Sequence, residues 1–421
     1  MFSALCAGAS SRRGLVGAFV AIFTAIISAN DSVAAPQREV PREVPREVPR
    51  EVQRIALRGT LGAGFTTAAE LTLPAVRDGR VPAVLLVHGA TPADMDFTVA
   101  RSGADTTRLF REIADSLAAR GIATLRYHKR WVSSAGKFDV AKFYATDLHM
   151  LLADARTMLD TLRARPEIDP RRVVVWGWSE GSAIVAQLAS HDTTLAGVIA
   201  HGPVVRPFGE TLRGQFARVG VPYLLRFAAA DSTMDLDAIT RAERGDGGLL
   251  VRSHAAMLVD PFALRGGERK LNAYVDRDSS GRIHVANEAQ RMVEMTFQGP
   301  MLGMYADGRA LPGWRIMADS VHVPILVLHG EADANISVAD ARELATLLCD
   351  RRDATVHIYP QLGHSLGTAV DAVHDDFRSI DSAPIRDAAR WISAQRPAAG
   401  RAERPRGVPR GTRASGCAAA R

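Results

Sequence analysis

The chain has 421 residues, 47% hydrophobic and 23% charged, a globular composition with length for one large domain carrying an insertion, or for two domains. Its formal charge of +6 invites a nucleic-acid reading, but residues 396–421 hold seven arginines against Glu403, which leaves the remainder formally neutral and places the basic patch in a tail, not on the fold. After residue 60 no apolar run approaches the roughly 20 residues that a membrane-spanning helix needs, so the body is expected to be soluble.

At the N-terminus, Arg12 and Arg13 precede an apolar run from Leu15 to Ile27, and small residues follow at Ser32, Ala34 and Ala35. This is the pattern of a secretory signal peptide, assigned to residues 1–34, and it implies export to the periplasm or the medium. Cleavage after Ala34 or Ala35 is expected; an uncleaved anchor is the rival reading. Residues 35–53 then repeat Arg-Glu-Val-Pro, starting at Arg38, Arg42 and Arg46. Proline at every fourth position favours extended backbone and alternating charge keeps it solvated, so this segment reads as a spacer. Residues 396–421 read as a basic disordered tail.

The body shows short β-branched runs alternating with segments of helical period. Val52 to Arg58 and Phe65 to Leu73 read as an antiparallel pair. Val81 to Val87, Ile122 to Arg126, Val173 to Trp176, Leu195 to Ala200, Pro324 to Leu328 and Thr355 to Tyr359 read as buried strands. The clearest helix is Asp147 to Arg163, where Leu148, Leu151, Leu152, Ala155, Leu159 and Leu162 share a face. The alternation predicts an α/β fold with a doubly wound, mostly parallel sheet.

One connection breaks the rhythm. About 115 residues, 206–320, lie between two predicted strands, and a connection of that length carries its own structure. It is expected to be an inserted, mainly helical cap, dividing the core into residues 54–205 and 321–395. Seven of the eleven methionines fall in it, which suits an adaptable apolar lid formed around Met295, Met301 and Met304. Of the three cysteines, Cys6 would leave with the signal, and Cys349 and Cys417 imply no disulfide framework. Cys349 reads as a buried filler.

The strongest local signal is Gly177-Trp178-Ser179-Glu180-Gly181, between the strand Val173 to Trp176 and a helix. A serine hydroxyl attacks only if it projects from a sharp strand-to-helix turn, and flanking glycines leave room for that turn. Ser179 is therefore the candidate nucleophile.

With two further stretches, the chain resembles the α/β-hydrolase superfamily over roughly residues 54–395, in particular its serine-aminopeptidase-like and dienelactone-hydrolase-like esterase branches. One stretch is His88-Gly89-Ala90-Thr91-Pro92-Ala93-Asp94-Met95-Asp96; the other runs from Gly121 to Arg126-Tyr127-His128-Lys129-Arg130. Departures are His128 where the branch usually has Asp, Trp131 where it has Gly, and Trp178 where it has His. The resemblance implies the α/β-hydrolase fold and an acid at Asp333, in His329-Gly330-Glu331-Ala332-Asp333. It also implies a base at His364, in Gly363-His364-Ser365. Glu331 and Asp340 are weaker acid candidates, and His322, His357 and His374 read as structural. Two backbone N–H groups would form the oxyanion hole, those of Glu180 and Ala90, with Thr91 the alternative to Ala90.

No paired-histidine metal motif, C-x-x-C or phosphate-binding glycine loop occurs, so neither metal nor organic cofactor is expected. The expected activity is an acyl hydrolase acting on a small-molecule ester, with an aminopeptidase or amidase as alternative. A non-catalytic binding protein on the same fold is a third reading. No nucleic-acid partner is expected.

Overall fold

A computed structural model describes residues 52–395 except 102–104, 261–262, 265 and 299–309. The signal peptide, nearly all of the repeat, the basic tail, and Met301 and Met304 lie outside the described residues, as does the side chain of Met295.

Eight strands form the central sheet: β1 (Val52–Thr60), β2 (Thr66–Pro74), β3 (Val81–Val87), β4 (Ala123–Tyr127), β5 (Ile168–Trp178), β6 (Gly197–His201), β7 (Ile325–Gly330) and β8 (Ala354–Tyr359). Their spatial order is β1-β2-β4-β3-β5-β6-β7-β8. The pairs β1/β2 and β2/β4 are antiparallel; from β4 to β8 every pair is parallel. The sheet is thus doubly wound and mostly parallel, as the alternation predicted. Strand β1 starts at Val52, two residues inside the segment read as spacer, because Val52 and Gln53 pair with Pro74 and Leu73.

The central strands read as unbroken apolar runs because both faces are covered. Every residue of β3 is buried, as are Val173 to Trp178 of β5. One face packs under α2 (Leu148–Arg163) and α3 (Glu180–His191), the other under α1 (Leu109–Ala118) and α5 (Ser382–Ala394). Between β7 and β8 runs α4 (Val338–Leu348). Helix α2 begins where its pattern predicts: the Asp147 carboxylate accepts the Met150 N–H at 2.8 Å, satisfying one of the free donors of the first turn.

Residues inserted between β6 and β7 form short helices, among them Phe208–Gln215, Val221–Leu225, Leu236–Glu243 and Leu249–Ala256. They enclose an apolar cluster of their own around Phe216, Tyr223, Ile239, Val251, Ile283 and Met292. The packing does not follow the bounds 206–320. Leu311, Trp314, Met317 and Ala318 pack into the main core, so the last described part of the segment belongs to the sheet domain. Conversely Val132, Phe143 and Tyr144, assigned to the core by sequence, pack into the insertion. Met234 and Met292 are 1% exposed and fill that cluster, as ordinary packing.

Cys349 requires correction. It caps the C-terminal end of α4 as an exposed, disulfide-bonded residue, not a buried filler.

Candidate active site

Three loops at the C-terminal ends of parallel strands converge, as the topology of an open α/β sheet demands. Ser179 follows β5, Asp333 follows β7 and His364 follows β8.

Ser179 has φ 55° and ψ −121°, a conformation costly for a non-glycine residue and typical of a strained turn. The turn is tight because strand and helix nearly touch. A Cβ on Gly177 would lie 2.2 Å from the Gly181 carbonyl oxygen, and one on Gly181 would lie 2.3 Å from that of Val87. Gly181→Ala must therefore push α3 away from β3. An overpacking cost of about 1–3 kcal/mol or more is expected, visible as a lowered thermal midpoint; an unchanged midpoint would contradict the close approach.

His364 and Asp333 are each 1% exposed, and His364 Nδ1 lies 2.7 Å from Asp333 Oδ2. The other carboxylate oxygen, Oδ1, accepts backbone N–H groups from Asn335 at 2.7 Å and Ile336 at 2.8 Å. Burial, the largest influence on Asp333, opposes its charge, yet His364 and these donors hold its carboxyl below the usual range. The carboxylate is thus ionised and able to orient the imidazole.

Trp178 links the candidate nucleophile and the candidate base. It precedes Ser179, its ring lies 4.9 Å from that of His364, and its indole N–H donates to the His364 carbonyl at 2.9 Å. This accounts for one departure from the resembled family: the indole is a wall of the site and a tie on the base loop. The other departures are also explicable. Trp131 has φ 66°, the left-handed conformation that glycine adopts most readily, and is held there by Phe65, at 4.4 Å between rings. His128 accepts the Met95 N–H at 2.9 Å through Nδ1; burial lowers its pKa and keeps it neutral.

The weaker candidates are occupied elsewhere. Glu331 pairs with Arg342 and Asp340 with Arg206, while His374 binds Asp371. Gly89 places the loop of Ala90, the expected second oxyanion donor, against Ser179, since a Cβ there would lie 3.1 Å from Ser179 Cβ. Among the described residues no group of three His, Cys, Asp or Glu side chains is placed to hold a metal ion.

Sequence reasoning missed Asp375. Its buried Oδ2 accepts the His364 N–H at 2.7 Å and the Ala334 N–H at 3.1 Å, tying the base loop to the acid turn. No motif marks it, because the tie exists only after the loops meet. Burial, reinforced by the Asp333 charge, raises its pKa from 3.8 to about 6. Between about pH 4 and 6 the folded protein therefore keeps a proton that the unfolded chain has released, and stability falls as pH rises through that window. Asp375→Asn should remove this slope, about 3 kcal/mol in total. Urea midpoints of wild type and variant that run parallel from pH 4 to 6 would refute the assignment. Arg218 of the insertion also reaches the acid turn, donating to the carbonyls of Asp333 at 3.1 Å and Ala334 at 2.7 Å.

Sheet order, the strained serine after β5, and the acid and histidine after β7 and β8 define the α/β-hydrolase fold. The chain is a member of the α/β-hydrolase superfamily. Residues 98–243 match the family described as serine aminopeptidase, S33, a stretch that includes Ser179 and ends before Asp333 and His364. The chain is 33% identical over 149 residues to esterase EstD of Thermotoga maritima, covering 35% of this chain and 32% of that protein. It is 30% identical over 129 residues to the quorum-quenching protein AidA of Acinetobacter baumannii, covering 30% of this chain and 41% of that one. The chain thus spans less than half the length of these curated relatives. A solved structure of a putative dienelactone hydrolase from Klebsiella pneumoniae aligns with 82% of this chain and 100% of its own, at 13% identity and a TM-score of 0.45.

Proposed function

We propose that this protein is an exported serine hydrolase that cleaves carboxylic esters of small molecules through Ser179, His364 and Asp333. The observation that carries the reading is the buried 2.7 Å contact between His364 Nδ1 and Asp333 Oδ2, together with a serine held in a strained elbow next to Trp178, whose ring lies 4.9 Å from that of His364. Serine at its free pKa is a poor nucleophile, so a base must take its proton and a buried acid must hold the base in the right tautomer. His364 accepts the Ser179 proton as the hydroxyl attacks the acyl carbon. The oxyanion is met by the N–H groups of Glu180 and Ala90. His364 then protonates the leaving alcohol, and water, activated by the same histidine, releases the acid and frees Ser179.

The insertion acts as the cap of this site, since Arg218 binds the acid turn and the Gly248 N–H donates to the Val373 carbonyl beyond the base. The ester reading draws support from the name of the Thermotoga relative, and the alternative, an aminopeptidase or amidase, from the name of the matched family.

A fluorophosphonate probe should label Ser179, and p-nitrophenyl esters should be turned over in preference to aminoacyl p-nitroanilides. Absence of labelling overturns the hydrolase reading; preference for the anilides replaces the ester by the amide. Export is tested separately. Expressed from the full gene in a bacterial host, the mature chain should begin at Ala35 or Pro36 by N-terminal sequencing, whereas an intact chain in the membrane fraction would indicate an anchor.

A further inference from the structure

The stretch Arg126-Tyr127-His128-Lys129-Arg130 places three cations in the interior, each 4% exposed or less. Such charges are tolerated only when paired. Arg126 meets Glu70 and Asp96, and Arg130 meets Asp154; these pairs tie strands, helix and loop together within the frame. Lys129 is different, because its partners are the two chain segments expected to stabilise the oxyanion.

The Lys129 ammonium lies 2.8 Å from the Gly89 carbonyl oxygen, 3.3 Å from that of Thr91 and 2.8 Å from Glu180 Oε1. An ammonium has three N–H donors, and here three acceptors meet them. In a trans peptide the carbonyl and the N–H point in opposite directions, and the described chain has no cis peptide. Holding the Gly89 carbonyl toward Lys129 therefore turns the N–H of the same peptide, that of Ala90, away from Lys129. The same ammonium grips the side chain of Glu180, whose backbone N–H is the second donor. Thr91 needs such support: its φ of 89° is a strained conformation for a β-branched residue, and Lys129 holds its carbonyl.

We propose that Lys129 is the positioning residue of the oxyanion hole, locking the Ala90 and Glu180 N–H groups into one unit by binding the Gly89 carbonyl and the Glu180 carboxylate together. The proposal rests on the serine-hydrolase reading given above. Lys129 touches neither substrate nor reacting atoms; it acts through two backbone donors. Its loss should therefore affect the oxyanionic states and leave ground-state binding of the ester alone.

The test replaces the buried pair as a whole, Lys129→Met with Glu180→Met, since apolar side chains of similar volume often substitute for a buried pair without loss of stability. The backbone donor at position 180 remains. The variant should lose about 10²-fold in kcat, the usual effect of a lost oxyanion donor, with KM nearly unchanged. Affinity for a trifluoromethyl ketone, which forms an oxyanionic adduct with the serine, should fall by a similar factor. The same exchange at Arg130 and Asp154 serves as control and should leave kcat within about threefold, because neither residue contacts the donors. Should the double variant not fold, Glu180→Gln, near-isosteric and still an acceptor for Lys129, should show a smaller loss in kcat with KM unchanged. Wild-type kcat in the Lys129→Met, Glu180→Met variant, or in Glu180→Gln where the double variant does not fold, or a loss confined to KM, overturns the proposal. Fluorophosphonate labelling and ester turnover of the wild type are measured first. If they fail, the hydrolase reading falls and this inference with it; if they succeed, the variants judge the inference alone.

Discussion

Ser179→Ala is expected to lower kcat for ester hydrolysis by at least about 10⁴-fold while the protein stays folded. The hydroxyl is the only group removed, and Ser179 is 6% exposed at a turn whose backbone is held by its N–H to the His201 carbonyl at 2.8 Å. That hydrogen bond survives the substitution. The turn keeps its strain, so circular dichroism and the thermal midpoint should match wild type. His364→Ala should lose a comparable factor, and the double variant little more, because base and nucleophile act as one unit. Activity within tenfold of wild type in folded Ser179→Ala would remove the serine from the mechanism.

The second large effect is expected from Asp333→Asn, a loss of about 10⁴-fold in kcat with the fold retained. The reason lies in how the carboxylate is anchored. Its Oδ1 accepts two backbone N–H groups, from Asn335 and Ile336, so in the variant the amide oxygen must take that position. The amide nitrogen then occupies the place of Oδ2 and faces His364 Nδ1 as a donor. The imidazole can respond only by accepting at Nδ1 and carrying its proton on Nε2, the tautomer that cannot take a proton from serine. Activity should therefore fall without a comparable fall in fluorophosphonate-independent measures such as the thermal midpoint. A loss below about tenfold would mean that Asp333 neither orients nor stabilises the base.

Several parts of this protein were legible before folding, for local reasons. The strands of the sheet appear as apolar runs because central parallel strands are buried on both faces, and β3 is buried at every residue. Helix α2 appears through its period and its Asp147 cap. Gly177 and Gly181 flank Ser179 because any Cβ there would strike neighbouring backbone. The resemblance to α/β-hydrolases carried Asp333 and His364 onto matching loops, and the structure brings those two side chains into contact.

Other features depend on which segments meet. Trp131 occupies a left-handed position that sequence would assign to glycine, since Phe65, distant in the chain, holds its ring. Trp314 and Met317 belong to the main core although they lie in the insertion by sequence, and Phe143 and Tyr144 do the reverse. Cys349 looked like an apolar filler and is exposed, because its helix turns that face outward. Asp375 is an ordinary charged residue to the eye, and Lys129, although it stands in the resembled stretch Arg126 to Arg130, shows no sign there of what it binds. What the sequence by itself determined was the local conformations: strand, helix, elbow, and the residue types able to attack, accept a proton and carry a charge. What only the tertiary structure decided was the environment of each charge. An electrostatic role depends on burial and on partners brought from far along the chain, and here that places Lys129 between Gly89 and Glu180, and Asp375 between Ala334 and His364.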